Sequence, residues 1–472
     1  MLLVFLALAH HELMLFAAVG LALGSVDDFL IDIAYGCRRA WRSTMIHTRY
    51  PRMTTADLPP SLHPGTLAIF IPAWKEAEVI GPMLRHALRR WGQADYRLFV
   101  GVYPNDPDTL REVTSVAAGE PRIIVGITER PGPTTKADCL NRLWRVMQRE
   151  EERTGARFKA VVLHDAEDVV HADEIRLFDF LIDRFALVQL PVLPLLAKGS
   201  LWSRMIAGHY ADEFAEAHTK YLAVREAVGA SIPSAGVGCA FARDALAALV
   251  TKGAPGPFDD SSLTEDYETG LRIADQGGRG IFVRIRDAHG QLVCTREHFP
   301  DSLDAAVRQK ARWIVGIALS GWDRMGWRGG PMELWMRFRD RRSALAALIL
   351  FAAYLTLLLW GLLGLFSLIH PMDWVPLSPM LIWLLRINVA LMLWRFAMRA
   401  LFVGRAYGWQ QGLAAIPRTM IGNLVAILAA RRAVFLYIRS LMGSPLIWDK
   451  TQHRFPEMER PEMELPEMDR KA

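Results

Sequence analysis

The sequence predicts an α/β protein, with a mostly parallel sheet layered by helices and flanked at both chain ends by helices that cross a membrane. Three observations carry this. Between Thr66 and Asp301 short apolar runs alternate with helical stretches. Those runs are apolar throughout rather than at every second residue, as strands buried on both faces are. Outside that region lie long apolar stretches with arginines beside them. The chain of 472 residues is 52% hydrophobic yet 22% charged, with a mean hydropathy of +0.15. Such a balance places membrane segments beside an ordinary soluble domain.

In chain order, the first unit is an anchor over residues 1–36. Residues 13–34 are mostly apolar but carry Asp27, Asp28 and Asp32, and Arg38, Arg39 and Arg42 follow. About 20 apolar residues are needed to cross a bilayer, so this span is marginal. A secretory signal would put its positive charges before the apolar run. Here they come after, which predicts an uncleaved anchor with its N-terminus outside.

Strands are expected at 67–71, 97–102, 122–127 and 159–163 within a soluble unit over residues 60–301. Ligands bind beyond the carboxyl ends of the strands in such sheets. The polar residues after each run are therefore the candidate site: 72–76, Asn105 with Asp106, and 165–168. Further on, Leu263-Thr264-Glu265-Asp266-Tyr267-Glu268 precedes Gln309-Lys310-Ala311-Arg312-Trp313. A carboxylate at a loop end can take a proton from an acceptor hydroxyl. An arginine can pair with a diphosphate, and an indole offers a face on which a sugar stacks. An amphipathic helix is expected from Ser302 to Trp322, within interface helices over 302–342, and helical spacing brings Gln309 to one face with Arg312 or Trp313. Thr264 is also placed to cap a helix with acidic residues in its first turn.

The membrane region resumes over 343–440. Residues 343–369 form the clearest span, with Arg337, Arg339, Arg341 and Arg342 before it, and 371–379 form an outer loop with Trp374 at the interface. Residues 380–403 return, interrupted by Arg386 and Arg395. An arginine at the bilayer centre costs about 2.5–3.5 kcal/mol, so these should face other helices, substrate or an interface. Residues 410–437 contain Arg418, Arg431 and Arg432 and read as an interfacial helix or a snorkelling span. Three spans are expected, with this fourth stretch left open. Over 441–472 the unit Pro-Glu-Met recurs at Pro456, Pro461 and Pro466, which predicts a disordered tail.

The net charge of +5 is modest, and the basic residues cluster beside apolar segments. That pattern predicts contact with a lipid bilayer and no nucleic acid. Cys37, Cys139, Cys239 and Cys294 are far apart and read as reduced thiols. His164, His171 and His298 have no metal-ligand spacing, so zinc is not expected. Gly236-Val237-Gly238-Cys239-Ala240-Phe241 reads as a close-approach loop near an acceptor.

Pro72-Ala73-Trp74-Lys75-Glu76, Thr135-Lys136-Ala137-Asp138, Asp165-Ala166-Glu167-Asp168, Thr264-Glu265-Asp266 and Gln309-Lys310-Ala311-Arg312-Trp313 together resemble the GT-A glycosyltransferase family 2, which includes cellulose and hyaluronan synthases. More narrowly, Val102-Tyr-Pro-Asn-Asp106, Lys136-Ala-Asp-Cys-Leu-Asn141, Arg296-Glu-His-Phe-Pro300 and Trp448-Asp-Lys-Thr-Gln-His-Arg-Phe455 look like NfrB-type inner-membrane glycosyltransferases, which carry the name of phage-adsorption proteins. Longer members have a further C-terminal nucleotide-sensing domain, and its regulation is not expected of this sequence.

The resemblance implies a GT-A domain, a nucleotide-sugar donor (a UDP-sugar), a polysaccharide acceptor and a bacterial inner-membrane location with the catalytic domain in the cytosol. It also implies an outer-membrane export partner. By resemblance Glu76 and Asp106 line the uridine pocket, where the family shows an Asp pair and this chain has Asn105-Asp106. Asp165 and Glu167 stand at the family's Asp-x-Asp and would hold Mg2+ or Mn2+, with Asp168 adjacent as a substitute. Asp266 is the expected base of an inverting transfer, with Glu265 and Glu268 as like-charged neighbours raising its pKa. Gln309, Arg312 and Trp313 bind the diphosphate and the acceptor, Lys136 is a diphosphate contact or a surface lysine, and Asp138 shares its motif. Within enzymes the alternative is transfer of one sugar to a polyprenyl phosphate. From another class, the alternative is a membrane scaffold with an inactive transferase domain.

Overall fold

The computed structural model describes residues 2–370, 374–443 and 455. The four expected strands form as β1 (Leu67–Pro72), β2 (Tyr96–Val102), β3 (Ile123–Ile127) and β4 (Ala160–Leu163), and all pair in parallel. Their side chains divide by the period of two. Ile69, Ile71, Leu98, Val100 and Val162 pack under α2 (Ala77–Trp91), α3 (Pro107–Ala117) and α5 (Glu174–Ile182). Ala68, Phe70, Phe99 and Val161 face the other way, against α4 (Lys136–Thr154). Each fully buried side chain of this kind contributes about 1.5–3 kcal/mol, which is why both faces of the sheet are fixed.

Short strands complete the sheet. These are β5 (Leu187–Gln189), β7 (Cys239–Ala242) and β8 (Gly280–Phe282), and the order is β3-β2-β1-β4-β7-β5-β8. β7 runs antiparallel to both β4 and β5. Its first residue therefore lies level with Leu163, at the carboxyl edge of the parallel strands. The segment read as a close-approach loop is thus loop up to Gly238 and strand beyond it. A second small sheet pairs β6 (Val192–Pro194) with β9 (Thr295–Glu297).

The helices after β6 are α6 (Leu201–Glu216), α7 (Leu222–Ala227), α8 (Arg243–Ala248), α9 (Glu265–Asp275), α10 (Leu303–Trp313), α11 (Ser320–Met325) and α12 (Pro331–Arg341). The single helix expected from 302 to 322 is interrupted by a π-helical turn, Ile314–Leu319. Gly316 in that turn lies against Thr264, and a Cβ there would come within 2.5 Å of the Thr264 hydroxyl.

Among the described residues, four helices are long and apolar enough to cross a membrane: α1 (Leu2–Trp41), α13 (Ser343–Ser367), α14 (Pro379–Tyr407) and α15 (Trp409–Leu441). The fourth stretch, left open by sequence, meets the length requirement, yet it also lies along the soluble domain. Val425 packs with Ile206, Tyr210 and Ala306. Ala429 and Ala433 pack with Ala311 and Val315 of the α10 region. Arg418 pairs with buried Asp212 at 2.7 and 2.9 Å and reaches Gln411 at 2.7 Å.

The acidic residues that made the anchor marginal are partners of arginines far along the chain. Asp27 and Asp28 each accept from Arg342 at 2.6 Å. Arg339 pairs with both, and Arg395 of α14 pairs with Asp28. Buried ions cost several kcal/mol each when left unpaired, so these acids and arginines are tolerable only together. Arg386 instead lies 5.1 Å from the Trp383 ring. The four cysteines are unpaired, with Cys37 exposed and the others buried. The Pro-Glu-Met repeats lie outside the described residues. Just before them, Phe455 packs against the core beside His86, ring centroids 6.2 Å apart.

Candidate functional site

A cavity of about 1280 Å³ opens at the carboxyl edge of the sheet, beneath α6 and α10. Glu76, Lys136, Asp165, Glu167, Glu265, Asp266, Gln309, Arg312 and Trp313 all line it. They come from five segments spread over more than half of the chain. Of the expected site residues, Asp106, Asp138 and the alternative ligand Asp168 are absent from its wall.

Asp106 works one layer back. One oxygen accepts the Lys75 N–H at 2.6 Å and the other accepts the Thr109 N–H at the start of α3. It thereby holds the turn in which Lys75 takes a left-handed φ of 55°, while Thr109 accepts the Glu76 N–H at 2.9 Å. The helix-capping role that competes with any ligand contact is the one seen here. Asp138 points to Arg130 on the outer side of α4.

Lys136 is no surface lysine. Its ammonium lies 2.5 Å from Asp165. Burial disfavours its charge, but Asp165, Glu265 and Asp266 outweigh that and hold it firmly protonated. Asp168 is not a substitute for Glu167 either. It is fully buried, accepts the Asp165 N–H at 3.0 Å and lies 2.7 Å from Nδ1 of His164. Nε2 of His164 lies 3.1 Å from Glu174. Burial opposes the imidazolium, yet the two carboxylates raise the His164 pKa to about 10. This buried chain of charges sits directly behind the Asp165 turn.

Asp266 occupies a seat made by a glycine. Gly236 has φ +77°, and a Cβ on it would lie 2.1 Å from Oδ2 of Asp266. No side chain can stand there without displacing the carboxylate, so the glycine serves both conformation and space. Burial raises the Asp266 pKa, Lys136 opposes this, and Asp165 adds to it. Burial likewise raises Glu265, with Asp266 as the next cause. Glu268, expected to act on Asp266, instead turns away to Arg324 and accepts from Ser262 at 2.7 Å. The Thr264 side chain makes no capping hydrogen bond, although α9 does begin after it.

Opposite these carboxylates stands α10. Oε1 of Gln309 is buried with no hydrogen-bond partner among the described residues. Trp313 lies among Tyr210, Phe214 and Phe299, with ring centroids 6.1, 6.4 and 6.5 Å away. Sequence reasoning assigned no role to Glu297, which also lines the cavity. Burial, then Asp168, Glu167 and Asp165, push its pKa well up. The signal for it was the Arg296-Glu-His-Phe-Pro300 segment, whose glutamate ends strand β9.

Among the described residues no three His, Cys, Asp or Glu side chains close on a point as metal ligands do. The donor chemistry nonetheless suits a hard divalent cation. Asp168, Glu167 and Asp165 all disfavour charge on Glu297, and an ion of that class held by the cavity carboxylates would relieve this. The arrangement therefore has oxygen donors at one end, a carboxylate over a glycine in the middle, and a cation with an aromatic cluster at the other.

Residues 64–316, more than half of the chain, match the family described as "Glycosyltransferase like family 2". The chain belongs to glycosyltransferase family 2. This glycosyltransferase is 38% identical over 463 residues to "Bacteriophage adsorption protein B" of Escherichia coli (strain K12). It is equally similar to "Bacteriophage N4 adsorption protein B" of Escherichia coli O157:H7. The match covers 93% of this glycosyltransferase and 62% of each relative, so the chain spans less than two thirds of their length. Its fold is similar to that of the mannosyltransferase PcManGT from Pyrobaculum calidifontis, solved in complex with GDP-Man and Mn2+. That likeness has a TM-score of 0.51 at 17% identity and covers 89% of this chain and 99% of the other. The GT-A fold expected from the acidic motifs is the fold present.

Proposed function

We propose that this glycosyltransferase moves a hexose or N-acetylhexosamine from a nucleotide sugar, a UDP-sugar, to a growing polysaccharide, with inversion at the sugar carbon. One observation carries the reading. The Asp165 turn, Asp266 over Gly236, and Gln309 with Arg312 line a single cavity whose wall, α10, is packed on α15. In this reading Asp266 takes the proton of the acceptor hydroxyl as its oxygen bonds to the sugar carbon, while the bond from that carbon to the diphosphate oxygen breaks. Lys136 and Arg312 offset the charge left on the diphosphate. Glu76, on the cavity wall, lines the uridine pocket in this reading. Asp165 and Glu167 would hold a divalent cation, Mg2+ or Mn2+, which when bound neutralises diphosphate charge. Gln309 supplies an unused acceptor for a sugar hydroxyl.

The test is to incubate membranes containing the full chain with a panel of labelled nucleotide sugars, with and without Mn2+ or Mg2+. One donor is expected to give product that falls away on chelation. Product from no donor would remove the transferase reading. Product unaffected by chelation would remove the cation.

The location follows from charge. Arg38, Arg39 and Arg42 end the anchor, and Arg337 to Arg342 precede α13. Basic flanks stay on the cytoplasmic side, which supports a domain in the cytosol, where a nucleotide sugar is available, on the bacterial inner membrane that the family resemblance implies. Thiol reagents applied from outside should miss Cys37 and should label a cysteine placed at Trp374. The reverse pattern would invert the topology.

A further inference from the structure

Helix α9 carries Glu265 and Asp266 in its first turn and is gripped at both ends by one other helix, α12. Near its start, the Tyr267 hydroxyl donates to Asp340 of α12 at 2.7 Å. At its end, Asp275 accepts from Arg337 of α12 at 2.7 Å, and Arg337 is fully buried with Glu333 as its second partner.

The Asp340 carboxylate is fully committed. It accepts from Tyr221 at 2.7 Å, from Arg225 at 2.8 and 2.7 Å, and from Tyr267. Those four hydrogen bonds fill the acceptor sites of a carboxylate and come from the π turn before α7, from α7 and from α9. Arg225 is itself completely buried, so the Asp340 side chain has one place to be. Tyr267 passes that constraint on, because its backbone N–H donates to Oδ1 of Asp266 at 2.7 Å. The other Asp266 oxygen is the one above Gly236. On the far side, Arg339 of α12 and the next residue but two, Arg342, grip Asp27 and Asp28 of the anchor.

We infer that Asp340 is a positioning residue for the transfer reaction: through Tyr267 it sets where Asp266 stands above Gly236, and α12 ties that seat to the membrane anchor. The inference rests on the reading of Asp266 as the base. It assigns α12 a part in the chemistry through Asp340, which stands on the cavity wall with both oxygens engaged by Tyr221, Arg225 and Tyr267. A displacement of about 1 Å in a reacting group can cost on the order of 100-fold in rate, so one lost hydroxyl at this joint should be felt.

The decisive variant is Tyr267→Phe, which removes the joint but leaves the Asp340–Arg225 pair intact. In the full chain in membranes, turnover is expected to fall about 10–100-fold, with UDP affinity within about two-fold and thermal stability nearly that of the parent. Asp340→Asn should lose turnover similarly, and the double variant should be no slower than Asp340→Asn alone, because both act through one linkage. Asp266→Asn runs alongside. If Asp266→Asn is inactive while Tyr267→Phe transfers normally, the positioning role is wrong and the base reading stands. If Asp266→Asn transfers normally, the base reading fails and takes this inference with it. Loss of UDP affinity in step with turnover in Tyr267→Phe would mark the tyrosine as a general structural prop and overturn the proposal.

Discussion

Asp266→Asn should abolish sugar transfer and leave donor binding intact. The amide has nearly the shape of the carboxylate, so it fits the space above Gly236 and can still accept the Tyr267 N–H. Lys136 keeps its closest partner, Asp165, at 2.5 Å. What disappears is the proton acceptor. Loss of a general base usually lowers turnover by about 10²–10⁴-fold, whereas the groups proposed to face the donor, Glu76, Lys136, Asp165 and Glu167, are unchanged. UDP titration beside a transfer assay checks both halves. A mutant with near-parental turnover would exclude Asp266 from the mechanism and leave Glu265, the other buried carboxyl of the pair, as the group to examine.

Arg312→Ala and Trp313→Ala should both cripple polymer formation, by different routes. The guanidinium lines the cavity and acts on Glu265 and Asp266 from across it. As the bond to the diphosphate breaks, its charge should offset the charge that develops there. Removing a preorganised group of this kind costs about 3–4 kcal/mol, and even a single transfer should slow. Trp313 stands in a cluster with Tyr210, Phe214 and Phe299, so its loss opens a gap in packing as well as removing a surface for sugar. Acceptor use and thermal stability should both fall in Trp313→Ala, while slow hydrolysis of the nucleotide sugar continues. Measuring donor hydrolysis beside chain elongation separates the two variants. If both hydrolyse and elongate like the parent, α10 is an interfacial helix without a chemical role.

Much of this was legible in the order of residues. The strands β1 to β4 announce themselves because a strand buried on both faces is apolar at successive positions, and four to six such residues in a row are visible. The polar residues that follow them were found by the same logic, since the site of a parallel sheet lies past its strand ends. The three-residue strands β5, β6, β8 and β9 were not legible, because three residues are too few to display a period. Nor was the reversal of β7, which is fixed by its neighbours and brings Gly236 under Asp266.

By itself, then, the sequence determined which chemical groups are present, where the apolar runs lie and which edge of the sheet they lead to. Only the tertiary structure decided which carboxylates face the cavity. Asp168 turns in to His164, Glu268 turns to Arg324, and Glu297 arrives from a distant strand. It also decided that Asp27 and Asp28, a defect in an isolated anchor, are the partners of arginines roughly three hundred residues away. The physical reason is one of range. Strand and helix periods are set by neighbours along the chain, whereas the direction of a charged side chain is set by whichever opposite charge the finished packing brings within about 3 Å, and no local pattern encodes that meeting.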